Sequence, residues 1–424
     1  MVIAGAGFAG LAAAHALRKA PVRTVLVDQH NYHTFLPMLY QVAASMIDVA
    51  EVARPTRGVI RGIRNAEFRL ARVTGVDLDG RWLKTDKGPL PYDYLVLALG
   101  STTQFFGNAS AIQRAMGMKD LEEALEVRSR ILTQFERAEF AVDPRERKQL
   151  LSFVIVGGGP TGVETAGALS ELVDYSIRRD FKGREVGEVS ITLVEGSPAL
   201  LGPFEPRLRD AAKKVLERRG VRVILNTHVK EVREGSVLLD NGEELPAASV
   251  VWAAGVKAVE VDGVDAAYKG RQQTVQVQPT LQLAGRPEVF VVGDMAGVKS
   301  GERQLPMLAQ VAVQGATQAG RNIAALVEGR PAQEFKYHDK GFMATIGRFN
   351  AVVQSGRLRL TGFTAWVAWL GLHLVYLDSF RSKLAVVIDW AWVYVLRDRP
   401  VRLILGGRER SAAPAEPGLT PAPR

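Results

Sequence analysis

Val2-Ile3-Ala4-Gly5-Ala6-Gly7-Phe8-Ala9-Gly10 opens the chain, and Phe153-Val154-Ile155-Val156-Gly157-Gly158-Gly159-Pro160-Thr161-Gly162 repeats its plan. In each, a short apolar run leads through a glycine-rich turn into a helical stretch, which is how a phosphate loop is built. Gly5 and Gly157 suit the tight turn, and Gly7 and Gly159 let a pyrophosphate approach the backbone. Gly10 and Gly162 let the helix close on its strand. Unpaired amides and the dipole at the helix start then hold an anion. One such loop is a weak signal, because a glycine-rich turn also packs a helix on a strand with no ligand. Two together point to a protein that holds two dinucleotides and passes electrons between them.

The strands that follow end in acids. Val25-Leu26-Val27 ends at Asp28, 23 residues after Gly5, where a carboxylate can accept hydrogen bonds from a ribose diol. Ile191-Thr192-Leu193-Val194 ends at Glu195, 38 residues after Gly157. That longer spacing predicts an enlarged helix or an insertion around Tyr175–Val189. An acid there repels a 2′-phosphate, which favours NADH over NADPH. Two more apolar runs end in glycine, Tyr94-Leu95-Val96-Leu97-Ala98-Leu99-Gly100 and Val250-Val251-Trp252-Ala253-Ala254-Gly255, and a third reads Val289-Phe290-Val291-Val292-Gly293-Asp294. Asp294 either caps a helix starting at Met295 or, beside two nucleotide loops, bonds the ribityl chain of a flavin.

Strand-like and helical runs alternate to about residue 330, the pattern of an α/β fold. The reading is two Rossmann-like dinucleotide-binding domains, the second inserted in the first, plus a C-terminal helical membrane-association segment. The boundaries are 1–115 and 276–330 for the first domain, 116–275 for the second, and 331–405 for the C-terminal part. Residues 411–424, rich in Ala and Pro, are expected to be disordered. The first helix is expected from Leu11 to Ala20.

The chain of 424 residues contains no cysteine. That excludes disulfide scaffolds, thiolate zinc sites, cysteine-bound iron–sulfur clusters and catalysis by a redox-active thiol. No metal site is expected. The formal net charge is +9, and Ser379 to Arg410 holds seven Lys/Arg against three acids. This excess adjoins the most apolar part of the chain, which favours a membrane surface. No RNA-binding aromatic motif or zinc finger accompanies it, so a nucleic-acid partner is not expected. With the first strand at Met1 there is no secretory signal, so the cytoplasmic face of the cell membrane is the expected location.

Leu360 to Leu377 is apolar for 18 residues apart from Thr361, Thr364 and His373. As a helix it would measure about 27 Å, marginal against a hydrocarbon core of about 30 Å. Leu384 to Leu396 carries Asp389 and would reach about 20 Å, too short to span. Arg357 and Arg359 precede the first run while Arg381 and Lys383 follow it, so the flanks show no asymmetry. Aromatics spread along both runs suit an interfacial position. Each helix should pack on protein with one side and on lipid with the other. A buried hairpin forming a dimer core is the alternative; the two are compatible, and a homodimer is expected.

Four segments resemble the type II NADH dehydrogenases within the two-dinucleotide flavoprotein reductases. They are Pro37-Met38-Leu39-Tyr40-Gln41-Val42-Ala43, Gly157 to Glu164 continuing through Thr165-Ala166-Gly167, Ala309-Gln310-Val311-Ala312-Val313-Gln314, and Asp339-Lys340-Gly341-Phe342-Met343-Ala344-Thr345-Ile346-Gly347-Arg348. The resemblance covers about residues 1 to 400. It implies a monotopic membrane enzyme with FAD on Gly5, Ala6, Gly7, Phe8, Ala9 and Gly10. Asp28 would lie on the ribose, Val73 near the adenine and Asp294 near the ribityl chain. NADH would bind Gly157, Gly159, Thr161 and Gly162 with Glu195. Gln29, Ala98, Gly100, Gly255, Ala309 and Gln310 complete the cofactor-binding set. Glu164 matches an acid proposed to serve proton transfer, and Gln310 and Gln314, with Lys340, match the quinone side.

The residues themselves leave alternatives open. Glu164 would fall in the first turn of a helix, where the dipole favours a carboxylate anyway. Gln310 and Gln314 share one helix face and are either satisfied core amides or donors to a quinone or flavin. Lys340 is otherwise a surface charge. Some members of the family that the chain resembles place a C-terminal lysine beside the flavin; this chain has no counterpart of it, and the resemblance implies His373 or Tyr376 for that neighbourhood. The function that follows is oxidation of NADH through FAD with two-electron reduction of a membrane quinone and no proton pumping. The alternatives are a soluble NADH-dependent reductase of a protein acceptor, or a non-catalytic NADH-sensing flavoprotein.

Overall fold

The computed structural model describes residues 1–181, 188–377 and 379–405. Two parallel sheets carry it. The first runs in the order Gln282–Leu283, Arg286–Val291, Leu95–Leu97, Val2–Ala4, Thr24–Asp28 and Ala66–Leu70, with only the Gln282–Leu283 edge antiparallel. The second runs Met116–Gly117, Ser249–Trp252, Ser152–Val156, Ser190–Val194 and Val221–Ile224, all parallel. Their strands are continuous apolar runs because both faces of a parallel sheet are covered. Ser152–Val156, for example, is buried at every residue.

The first helix runs over Phe8–Ala16 rather than Leu11 to Ala20. It begins earlier because Gly7 already serves as its N-cap, in extended backbone. It ends at Leu17, ahead of Pro21, which could not continue it. The second nucleotide helix, Pro160–Leu172, continues through a π-helical turn at Val173–Ile177 to Asp180. Among the described residues this longer helix supplies part of the wide spacing between Gly157 and Glu195, and residues 182–187 of the expected enlargement lie outside them.

The C-terminal part starts with a three-stranded antiparallel sheet, Phe342–Thr345, Ala351–Ser355 and Leu358–Thr361. Leu360 therefore belongs to a strand, and the first apolar helix is shorter than expected, Gly362–Tyr376. The second runs over Phe380–Ala391 and ends in a π-helical turn at Trp392–Leu396. Among the described residues no helix is long and apolar enough to cross a membrane. The inner face of this hairpin is set by helical spacing, with Ala365, Trp366, Trp369 and His373 buried on one helix and Val386 and Trp390 on the other. Phe363, Val375, Phe380, Ile388 and Val395 point outward, and Phe380 is 81% exposed. The tail expected to be disordered, with Arg408 and Arg410, lies outside the described residues.

Arg399 locks this segment down. Its side chain is sealed from solvent, and Nη1 donates to the carbonyls of Ala44 at 2.5 Å and Ala168 at 2.9 Å. Nη2 reaches Glu171 Oε2 at 3.3 Å, while Arg219 binds the other carboxylate oxygen at 2.8 Å. Burial pushes the Arg399 guanidinium down to about 10, and Glu171 opposes that shift. Removing one partner of a buried pair strands the other charge. Arg219 still holds Glu171 when Arg399 is lost, whereas Glu171→Met takes away the carboxylate that Arg399 meets and should therefore cost about 3–5 kcal/mol of stability. Arg23→Met breaks only an exposed pair with Glu67 and should cost about 1 kcal/mol or less. Thermal unfolding of both variants checks the contrast.

Candidate active site

The two glycine loops are built alike. Gly5 has φ +105° and Gly157 φ +110°, where a side chain would also strike the carbonyls of Ala98 and Ala253. A Cβ on Gly10 would strike the carbonyl of Gly5, and one on Gly162 that of Gly157, so each helix needs glycine to close on its own turn. Gly7 and Gly159 differ, since no atom lies within 4 Å of where their Cβ would be. Each is the N-cap of its helix and neither end has a side-chain cap, so no capping side chain takes up the first-turn amides. A cradle that the protein itself leaves unfilled is what a pyrophosphate requires, and the residues present fit one in both places.

The acids repeat the same pattern. Asp28 accepts from the Ala6 amide at 2.6 Å and from the His30 amide at 2.8 Å. Glu195 accepts from the Gly158 amide and from the Ser197 amide at 2.6 Å. Each carboxylate thus ties its strand end to its own loop, where a ribose would lie. Gln29 is exposed beside Asp28. Val73 begins a strand two residues past Ala71, whose amide donates to the Asp28 carbonyl.

Asp294 does not cap a helix. The turn Gly293–Met295 is a single 3₁₀ turn without a side-chain cap. Its carboxylate instead accepts from Ser101 Oγ at 2.5 Å and from Lys119 Nζ at 3.0 Å. Ser101 follows Gly100, and its strand, Ser101–Thr103, pairs antiparallel with Val256–Ala258, just after Gly255. The pairing brings the glycine-terminated strands of the two sheets together. Sequence reasoning missed both partners: Ser101 could have been found beside Gly100, whereas nothing local marks Lys119.

Glu164 is the fifth residue of Pro160–Leu172, so the expected first-turn position is wrong; the helix begins too early for it. The carboxyl is buried, with Oε1 accepting from the Thr345 amide at 3.3 Å. Burial pushes its pKa up to about 8, and the Thr345 amide offsets part of that shift. The neighbourhood comes from the second and fourth of the segments that carry the resemblance. The Tyr40 hydroxyl, from the first, lies 2.9 Å from Thr345 Oγ1.

The paired glutamines hold chain. Gln310 Nε2 donates to the Gly341 carbonyl at 3.0 Å while its Oε1 accepts from the Lys340 amide at 3.1 Å. Gln314 does the same at His338, with bonds of 2.9 and 3.0 Å. Ala309 starts their helix, Ala309–Val327. Lys340 Nζ lies 3.2 Å from the Tyr376 hydroxyl, and both are exposed. His373 faces the other way. Its ring stacks on Trp369 at 3.8 Å and stands edge-on to Phe35 at 6.2 Å. Phe35 meets Phe8 of the first loop at 5.9 Å. Burial pushes the His373 pKa down to about 4, so the imidazole is neutral, with Nδ1 2.8 Å from the Trp369 carbonyl. Of the two C-terminal candidates, His373 is the one joined by aromatic contacts to the first loop.

Two dinucleotide cradles at the carboxyl ends of two parallel sheets define a pyridine-nucleotide oxidoreductase. Residues 1–316 match the family model described as pyridine nucleotide-disulphide oxidoreductase. The chain is 39% identical over 411 residues to the type II NADH:quinone oxidoreductase Ndh of Mycobacterium tuberculosis, covering 93% of this chain and 88% of that protein. It is 30% identical to the type II NADH:quinone oxidoreductase of Staphylococcus saprophyticus, covering 83% of this chain and 88% of that protein. The structure of NDH2 from Plasmodium falciparum in complex with NADH superposes with a TM-score of 0.85 at 20% identity, covering 92% of this chain and 97% of that one. The chain belongs to the pyridine nucleotide-disulphide oxidoreductase family and, within it, to the type II NADH:quinone oxidoreductases.

The buried Glu164 predicts a pH-dependent stability. Its pKa rises from an ordinary 4.5 to about 8 on folding, so between those values the folded state holds a proton that the unfolded state has lost. Stability from this group is therefore full below about 4.5 and is lost as pH rises towards about 8. Glu164→Gln should flatten that fall, as thermal unfolding across the window will register.

Proposed function

We propose that this NADH:quinone oxidoreductase oxidises NADH through bound FAD and passes two electrons to a membrane quinone without pumping protons. The observation that carries it is the matched pair of cradles, each with an unfilled glycine and a carboxylate at its strand end. FAD belongs on Gly5–Gly10, with Asp28 at its ribose and Asp294 at its ribityl chain, where Lys119 and Ser101 hold the carboxylate in place. NADH belongs on Gly157–Gly162 with Glu195 at its ribose. When bound, FAD supplies the redox chemistry, accepting electrons from NADH and releasing them to the quinone.

The chain's own residues then position and protonate. Glu164 is protonated below about pH 8 and serves as the acid that gives a proton on the quinone side. Gln310 and Gln314 act by fixing residues 338–341 at the border of the quinone pocket, and Lys340 lies on that border. His373 contributes a neutral ring against Phe35. With no cysteine in the chain, electrons go directly from the flavin to the acceptor.

The outward face of the C-terminal hairpin is read as a lipid contact at the cytoplasmic face of the cell membrane. Arg381, Lys383 and Arg397 supply charge beside Phe380, Ile388 and Val395, and each basic side chain adds about 1 kcal/mol on an anionic surface. A homodimer formed through the same segment is compatible with this reading.

Three measurements test it. NADH should bleach the flavin rapidly in stopped-flow, and an absent bleach sinks the proposal. Glu195→Gln should lower the preference for NADH over NADPH by about tenfold, the worth of a charged hydrogen bond to a ribose hydroxyl. Phe380→Ser/Ile388→Ser/Val395→Ser should lower partitioning into anionic liposomes at least about tenfold while leaving reduction of a water-soluble quinone in place.

A further inference from the structure

A file of buried polar groups runs from the C-terminal hairpin to Glu164. Trp390 Nε1 donates to Gln41 Oε1 at 2.8 Å, and Gln41 Nε2 donates to the Tyr40 hydroxyl at 2.9 Å. That hydroxyl meets Thr345 Oγ1 at 2.9 Å, and the Thr345 amide donates to Glu164 Oε1 at 3.3 Å. Gln41 is fully buried, and Trp390, Tyr40 and Thr345 are nearly so. Water therefore has little access to reset any of these bonds.

The direction of the file follows from one donor. An indole nitrogen donates and cannot accept. Gln41 must turn its oxygen to Trp390, which leaves its amide nitrogen for Tyr40. A Tyr40 oxygen that accepts from Gln41 places its single proton on Thr345 Oγ1. Thr345 then accepts from Tyr40, and its own hydroxyl proton points away from Tyr40. With the amide turned over, every step reverses: Tyr40 donates to Gln41, and Thr345 donates back to Tyr40.

We propose that Trp390 is a positioning residue whose N–H fixes this direction, so that Thr345 enters the file as the acceptor from Tyr40 and its backbone amide is held on Glu164 Oε1 while the hairpin is seated. The inference rests on the reading of Glu164 as the proton carrier and adds to it a control exerted from the lipid-facing hairpin. Bonds in such a file polarise one another, so orienting its far end strengthens the near end.

The charged surroundings do not compete with it. Burial and the Thr345 amide account for the shift at Glu164, with no charged side chain among its causes. On the packed elements, Tyr40 is itself part of the file, and His373 is neutral behind Trp369. Glu171 lies two turns along the helix of Glu164, neutralised by Arg219 and Arg399, with Tyr394 near them. Asp389, next to Trp390 in sequence, engages Glu51, whose carboxyl is pushed up to about 9 by burial and by that acid.

The test is an infrared titration of flavin-loaded enzyme in liposomes, following the carboxyl band that Glu164→Gln removes. Trp390→Phe keeps the ring and deletes the N–H, and should raise the midpoint of that band by about half a pH unit or more. In a Tyr40→Phe background the file is already cut, so Trp390→Phe should add nothing to the Tyr40→Phe midpoint. An unmoved midpoint, or an equal shift in both backgrounds, overturns the proposal. If Trp390→Phe leaves the liposomes, Gln41→Met, with the indole intact, carries the same expected shift and the same power to refute. Quinone turnover unchanged in Glu164→Gln would instead sink the proton-carrier reading, which the band titration does not depend on.

Discussion

One buried guanidinium holds the architecture together. Arg399 comes from the last described stretch of chain, yet its donors end on the carbonyl of Ala44 and on Ala168 and Glu171 in the second nucleotide helix. Those elements flank the polar file and Glu164. A fully desolvated cation is costly alone, so the hairpin cannot drift from the nucleotide units without breaking the pair that compensates Arg399. The apolar packing of Trp369 and Trp390 supplies attraction without direction, whereas Arg399 supplies direction. The hairpin is thereby a wall of the polar file that reaches Glu164 as well as an apolar surface.

The same constraint gives Glu164 its chemistry. A carboxyl at a helix start, in contact with water and the dipole, would remain ionised near neutrality. Set one turn deeper and covered by Thr345 and Tyr40, it holds its proton to about pH 8. The covering residues come from the two ends of the sequence, so the acid's protonation state is a property of the assembled fold and not of its own helix.

The sequence made the two cradles legible because their chemistry is local. Strand, glycines, helix and terminal acid lie within a few dozen residues; Gly5 and Gly10 stand at close backbone approaches, and Asp28 accepts from the loop amide of Ala6. The alternatives that stayed open were those decided over long separations. Asp294 could cap or bind until Lys119, 175 residues away, supplied its partner. Gln310 and Gln314 looked equally suited to a ligand or to the interior, and no periodicity could reveal that residues 338–341 would pass close enough to take both amides. The helix bounds failed for a related reason, since hydropathy continues through Leu360 while the backbone there pairs as a strand. Trp390 read simply as an aromatic in an apolar run.

The outward apolar face of the hairpin bears on how the molecule is made. Ribosomal synthesis delivers the strands of both sheets before Gly362–Tyr376 and Phe380–Ala391 emerge, so the surface that receives Trp369 and Trp390 can exist before those helices appear. Only the outer side chains, Phe380 and Val395 among them, then remain uncovered. Placing the most adhesive elements late in the chain shortens the time for which they can nucleate aggregation.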